Sequence, residues 1–348
     1  MRYFSFSCLV LLSLSTPSQA QFRSFASVDR LNRQLAGRVV DYTHNHGADH
    51  RICSPILGRP RDAYVYLPPC YDPNKAYPLI LYFHFARVDE QNFINSGRLR
   101  ELDRMMEAGT FPHAIVVCPD GTIDGTNRLT AKPSFYINGV SGRFEDHIMS
   151  EVIPFVMSRY AVRSDRRSHA IFGVSGGGYG ALSLAIRHRD FFGVVATMAA
   201  PVNLLYDNCH DDVLEDFHPE TYRWQTKYEP GRLVGRFYGG LRRVRARFFL
   251  EPVFGSRPDE VLSRVAATNP ASLIDQSGLQ PGELAIYLHY AGRDGYNFDA
   301  HNQSFAWLAA QRGIGVTLES DPDAEHGLRY FRRNHEPVFR WLGQHLAL

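Results

Sequence analysis

The sequence predicts an α/β fold, a mostly parallel central sheet with helices on both faces. Short apolar runs of strand length alternate with segments of helical spacing from residue 79 onward, the order expected of a helix-covered parallel sheet. The 348 residues are 44% hydrophobic and 21% charged, ordinary globular values that exclude disordered, collagen-like and coiled-coil chains. That length suits one large domain carrying an insertion. The 38 Lys and Arg against 36 Asp and Glu leave a formal charge of +2, too balanced for a general polyanion binder, so nucleic acid is not an expected partner.

Residues 1–20 read as a signal peptide. Arg2 precedes an apolar stretch around Leu9 to Leu14, and Ser18-Gln19-Ala20 offers small residues for cleavage after Ala20. That stretch falls well short of the roughly 20 residues that span a bilayer, and no other run is long enough. The expected product is an exported protein, secreted or periplasmic, without a membrane span, whose residues 21–348 form a single domain. Cys8 has no small-residue lipobox before it and leaves with the leader. Four cysteines remain, and export permits disulfides. Cys53, Cys70, Cys118 and Cys209 allow three full pairings, which sequence does not separate. Cys118 ends an apolar run and reads as a buried free thiol.

Leu31, Leu35 and Val39 share helical spacing, and residues 51–57 and 63–67 flank Gly58-Arg59-Pro60 as a hairpin. Strand-like runs follow at 79–83, 114–118, 169–172, 194–198, 285–290 and 316–318. Between them, Leu99, Leu102 and Met106 mark a helix that Gly109 stops. Ile148, Val152 and Val156 mark a second over 145–160, which Pro154 either kinks or restarts. Phe305, Leu308 and Ala309 mark another, ended by Gly313. Residues 202–268 break the rhythm, with few strand signals, many aromatics and a dense arginine series. They read as a cap or lid inserted over the sheet, and Asn269-Pro270 marks the return.

The strongest chemical signal is Gly173-Val174-Ser175-Gly176-Gly177, led in by the strand 169–172 and led out by the helical Tyr179 to Ile186. Strand, sharp turn and helix in this order form the nucleophile elbow of the α/β-hydrolase fold, with the serine hydroxyl held at the top of the sheet. The partial match Gly139-Val140-Ser141-Gly142 has Arg143 in place of the second glycine and no strand before it. A serine hydroxyl needs a base, and the base needs a carboxylate to fix its tautomer. In this fold they follow in the order acid, then His. Asp294 fits the acid, directly after the strand 285–290. Asp299 is its rival and reads as part of the next helix's first turn. His326, in the loop after the last strand, fits the base, so the expected catalytic triad is Ser175, Asp294 and His326. His335 and His345 fall on a C-terminal helix and read as solvent-facing.

With these residues the chain resembles the esterase D-like branch of the α/β hydrolases, which includes S-formylglutathione hydrolases, feruloyl and acetylxylan esterases, enterochelin esterases and mycolyltransferases. The resemblance covers about Ser54 to Leu342 outside the insertion. It rests on Val65-Tyr66-Leu67-Pro68-Pro69-Cys70-Tyr71, Tyr77-Pro78-Leu79, Ser134-Phe135-Tyr136, Phe144-Glu145-Asp146, Gly173 to Ala181 and Glu325-His326. It implies a serine esterase acting through an acyl-enzyme on a small-molecule or polysaccharide-linked ester, without cofactor or metal. The oxyanion hole would use the N–H groups of Gly176 and Ala86. The chain departs from the pattern at His84-Phe85-Ala86, where the family usually has His-Gly, and at Cys70, where it commonly has Gly. A Cys53–Cys70 disulfide is one of the open pairings. The same scaffold also serves acyltransferases and noncatalytic binding proteins.

Weaker motifs receive plainer readings. His44, His46 and His50 lack a carboxylate or Cys partner at ligand spacing and read as surface histidines. Asp120-Gly121-Thr122-Ile123-Asp124-Gly125 lacks the third-position ligand and distal Glu of a calcium loop and reads as a turn. Asn302-Gln303-Ser304 is a glycosylation sequon, meaningful only in a eukaryotic secretory pathway.

Overall fold

The computed structural model describes residues 28–126 and 131–347, so the expected leader at 1–20 lies outside the described residues. Eight strands form the central sheet: β1 (Arg38–Tyr42), β2 (Ala63–Leu67), β3 (Leu79–Phe83), β4 (Ile115–Pro119), β5 (His169–Val174), β6 (Val194–Met198), β7 (Ala285–Ala291) and β8 (Thr317–Asp321). Their spatial order is β1-β2-β4-β3-β5-β6-β7-β8. β2 runs antiparallel to β1 and β4, and the remaining pairs are parallel. Parallel neighbours need crossovers, and the helical segments between the strands supply them.

Alternate strand residues feed two cores, because successive side chains point to opposite faces. Leu79, Leu81 and Phe83 join Ile171, Val195 and Leu288 on one face. Ile80 and Tyr82 join Phe172, Ala196 and Tyr287 on the other. On the first face lies α2 (Gly176–Arg187) with Leu182 and Leu184. The second is covered by α1 (Arg98–Glu107) through Leu99, Leu102 and Met106, and by α7 (His335–His345) through Val338, Phe339 and Leu342. Each large apolar side chain so buried contributes about 1.5–3 kcal/mol. The fold is therefore the expected α/β-hydrolase sheet with both faces covered.

Several local expectations are corrected. The helix Val28–Asn32 stops before Val39, which lies in β1 opposite Tyr66. The hairpin expected between 51–57 and 63–67 reduces to one bridge between Ile52 and Arg61, because β2 pairs instead with β1 and β4. Gly37 allows that approach: a Cβ there would lie 2.4 Å from the Leu67 carbonyl oxygen. Pro154 does restart its helix, at Ile153–Met157, after a π-helical turn over Ile148–Val152.

The segment 202–268 holds more strand than expected. Tyr206–Asn208 pairs with Tyr222–Trp224, and Leu233–Phe237 pairs with Arg242–Arg245. Two helices follow, α3 (Ala246–Phe254) and α4 (Pro258–Ala266), and their Leu250, Val253, Phe254, Val261 and Val265 pack into the first core. The return comes at α5 (Pro270–Gln276).

All four cysteines of the described chain are free thiols, with Cys118 buried and Cys53, Cys70 and Cys209 exposed. Asn302 is buried, its amide donating to the carbonyls of Ala200 at 2.9 Å and Phe298 at 2.6 Å, so this sequon is a packing residue. His335 is half-buried rather than solvent-facing, and burial holds its imidazole below the usual histidine range. Among the described residues no helix is long and apolar enough to cross a membrane.

Candidate active site

Ser175 sits between β5 and α2 with φ 52° and ψ −123°, a backbone state that costs a non-glycine residue on the order of 1–3 kcal/mol. The surroundings over-determine it. Its N–H donates to the Met198 carbonyl at 2.8 Å. Gly173 and Gly177 let the chain fold back on itself: a Cβ on Gly173 would lie 2.3 Å from the Gly177 oxygen, and one on Gly177 2.4 Å from the His84 oxygen. The turn therefore projects the serine hydroxyl at the carboxyl end of β5. Gly176 opens α2, where the first N–H groups of a helix have no intrahelical acceptor. Ser141, the partial match, bonds the Pro252 carbonyl instead and lies in a separate turn.

The loop after β7 brings in Asp294, and the loop after β8 brings in His326. His326 Nε2 lies 3.2 Å from Ser175 Oγ, and its Nδ1 lies 2.7 Å from Asp294 Oδ2. Asp294 Oδ1 accepts from the Tyr296 N–H at 2.9 Å, which fixes the carboxylate's orientation. With Nδ1–H donating to the carboxylate, Nε2 is left as the acceptor facing the serine. Asp299, the rival acid, stands in the first turn of α6 (Phe298–Ala310) as the sequence suggests. Burial, and then the Asp294 charge, push its carboxyl up to about 7.

The loop after β3 reaches the same end of the sheet. His84 is buried, its Nε2 accepting the Gly121 N–H at 2.9 Å and its own N–H donating to the Tyr136 hydroxyl at 3.2 Å. Behind it Arg61 and Asp120 form a buried ion pair at 2.6 Å. Burial pushes the Asp120 carboxyl upward, but Arg61 and His84 bring it below the usual range. The sequence 120–125 is thus a structural turn and not a cation loop. His44 pairs with Asp62 at 2.8 Å and His46 with the Tyr64 hydroxyl at 2.8 Å. Among the described residues no group of three or more His, Cys, Asp or Glu is arranged to hold a metal ion. Ala86 follows Phe85, half-buried at the head of this loop. Phe85 stacks on Phe331 at 5.3 Å.

Sequence reasoning missed the aromatic wall around His326. Tyr296, Phe298 and Phe331 meet its ring edge-on at 5.2, 5.4 and 5.3 Å. Tyr296 and Phe298 follow the acid by two and four residues, a proximity no motif marks. They also line a mostly enclosed cavity of about 40 Å³ with Leu204, Val234, Phe249 and His301, large enough for about one water.

Comparison with known proteins agrees with this architecture. A ferulic acid esterase superposes with a TM-score of 0.61 at 17% identity, covering 90% of this chain and all of that one (100%). An S-formylglutathione hydrolase from Agrobacterium tumefaciens gives 0.63 at 16% identity, over 90% and 97% of the two chains. A feruloyl esterase module from Clostridium thermocellum, complexed with sinapinate, gives 0.53 at 18% identity, over 90% of each. At such identities the likeness speaks for the shared fold. The model of the family described as putative esterase matches residues 54–315, about three quarters of the chain, from just before β2 through the elbow to the end of α6. The chain therefore belongs to the putative esterase family and is, as an enzyme, a serine carboxylic-ester hydrolase.

Proposed function

We propose that this protein is an exported esterase in which Ser175 is the nucleophile, His326 the general base and Asp294 the residue that orients it. The observation that carries the reading is the continuous relay from Ser175 Oγ through His326 to Asp294, at 3.2 and 2.7 Å, on a strained strand-to-helix turn. As Oγ bonds to the ester carbonyl carbon, His326 Nε2 takes the serine proton. The carbonyl oxygen becomes an oxyanion, held by the N–H groups of Gly176 and Ala86. His326 then gives its proton to the leaving alcohol as the carbon–oxygen bond breaks. Water enters by the same steps in reverse and releases the acid. The segment 202–268 acts as a cover over this site, the substrate is a small-molecule or polysaccharide-linked ester, and no metal or organic cofactor takes part. Support for export is the leader-like grammar of residues 1–20.

A fluorophosphonate probe tests the nucleophile. Peptide mass analysis is expected to find the adduct on Ser175 of the native protein and none after Ser175→Ala. A native, folded protein that stays unlabelled would make it a binding protein on a hydrolase scaffold. Product analysis with an added alcohol separates hydrolysis from acyl transfer, and hydrolysis predicts free acid as the main product.

A further inference from the structure

Residues 232–250 contain six arginines and no Asp or Glu. Arg232 is neutralised within the fold by Asp207 at 3.0 Å. Arg236, Arg242, Arg243 and Arg247 have no carboxylate partner among the described residues. Concentrated like charge is unfavourable unless something compensates it, so the location of these side chains decides what they are for.

The hairpin Leu233–Phe237 with Arg242–Arg245 is fastened to the loop that carries Asp294. The Arg236 N–H donates to the Gly295 carbonyl at 2.7 Å, and the Phe237 ring meets Tyr296 at 4.6 Å. The Arg242 guanidinium lies 5.9 Å from the Phe237 ring centroid, two aromatic rings away from His326. A second cation comes from the loop after β3. Phe85 is anchored on Phe331, itself 5.3 Å from His326, and two residues on stands Arg87. It is exposed, with φ 71° and no carboxylate partner among the described residues. A left-handed φ is uncommon for a side chain of this size. Burial raises the Tyr296 hydroxyl above the usual tyrosine range and the Asp294 charge adds to the rise, while the Arg242 and Arg87 charges both oppose it.

We propose that Arg87 and Arg242 together form an anion-recognition pair beside Tyr296, at the mouth of the Ser175 site, and select ester substrates that carry a carboxylate. The proposal rests on the reading of Ser175 as nucleophile. The pair bridges two chain segments, the loop after β3 and the inserted hairpin, so the insertion determines specificity while the sheet supplies the chemistry. Exposed guanidiniums are screened by salt, with a Debye length of about 10 Å at 0.1 M, so the selectivity is ionic-strength dependent.

The test compares p-nitrophenyl hexanoate with the p-nitrophenyl monoester of adipic acid, which differ by a terminal methyl against a carboxylate. In the native enzyme the kcat/KM ratio of adipate to hexanoate is expected to exceed one at 50 mM NaCl and to fall at 500 mM. Arg87→Gln and Arg242→Gln should each lower that ratio by about three- to tenfold, mainly through KM. The double variant should lower it further, and Arg242→Lys should retain part of it. A ratio unchanged in both Gln variants overturns the proposal. So does binding to phosphatidylglycerol vesicles that these variants abolish while the ratio stays constant, since the arginines would then serve a lipid surface together with the exposed Tyr238, Leu241 and Phe248. Failure of the underlying reading shows separately, as hexanoate hydrolysis that survives Ser175→Ala.

Discussion

The elbow around Ser175 and the hairpin over residues 233–245 meet at one site, yet they are built on opposite terms. In the elbow every residue from Gly173 to Ala181 is buried, and main chain packs against main chain so closely that glycines stand where a Cβ would collide. In the hairpin, Arg236, Arg242, Arg243 and Arg245 are exposed, and Tyr238 and Leu241 keep 73% and 91% of their surface, so substitutions there disturb little of the core. A reacting hydroxyl needs geometry held to fractions of an ångström, which dense packing provides. A charge that guides a substrate tolerates motion, since its field extends over several ångströms.

The sharpest test of this contrast lies at the relay itself. Ser175→Ala and His326→Ala are each expected to lower kcat by about 10³-fold or more, because triad members act as a unit. Circular dichroism should stay close to native in both, and so should the thermal midpoint of Ser175→Ala, whereas His326→Ala is expected to lower its midpoint, because it empties the space between Tyr296, Phe298 and Phe331 and leaves Asp294 unpaired. Activity near native in either variant would remove that residue from the mechanism and leave the tight packing of the elbow without a catalytic reason.

How far the sequence anticipated this follows the same contrast. The strands 79–83 and 194–198 coincide with β3 and β6 because both are apolar, but for Thr197, and buried on both faces. The elbow was legible because its glycines answer a local steric need that composition records. Asp294 and His326 were reachable through chain order, which the fold imposes. The β1–β2 pairing was not, since Arg38–Tyr42 is only half-apolar and its partner lies more than twenty residues on. Its register depends on tertiary contact rather than on pattern. Nor was the pairing of Leu233–Phe237 with Arg242–Arg245, where arginines occupy strand positions that face solvent. Arg87 and the ring of Tyr296 carry no motif, because their roles come only from being brought together.

A smaller effect is expected at the acid. Asp294→Asn keeps the side chain's shape but lets the amide donate, which favours the wrong tautomer of His326. The expected loss in kcat is roughly 10²-fold or more, with KM little changed. Asp299→Asn is expected to stay within about tenfold of native, as His326 Nδ1 meets Asp294 and not Asp299. The reverse order of the two effects, measured on one neutral ester, would transfer the orienting role to Asp299 and break the assignment made from geometry.

The smallest effect concerns stability and separates Asp299 from Asp294 in a second way. Asp299 is pushed up to about 7, first by burial, then by the charges of Asp294 and Asp216, against the pull of its own and the Ala300 N–H groups. Its Oδ1 is buried without a hydrogen-bond partner. An unfolded aspartate titrates near 3.9, so between about pH 4 and 7 the folded state holds a proton that the unfolded state has released. Stability then falls as pH rises through that window, and above it the full cost of a buried charge is present. Asparagine resembles the protonated acid, so Asp299→Asn should match the native protein near pH 4. Its thermal midpoint should rise above native with increasing pH, by about 2 °C or more at pH 8. Thermal unfolding of both proteins across pH 4–8 measures the difference. A difference independent of pH would mean that Asp299 is ionised throughout, and that its place beside Asp294 costs the fold nothing.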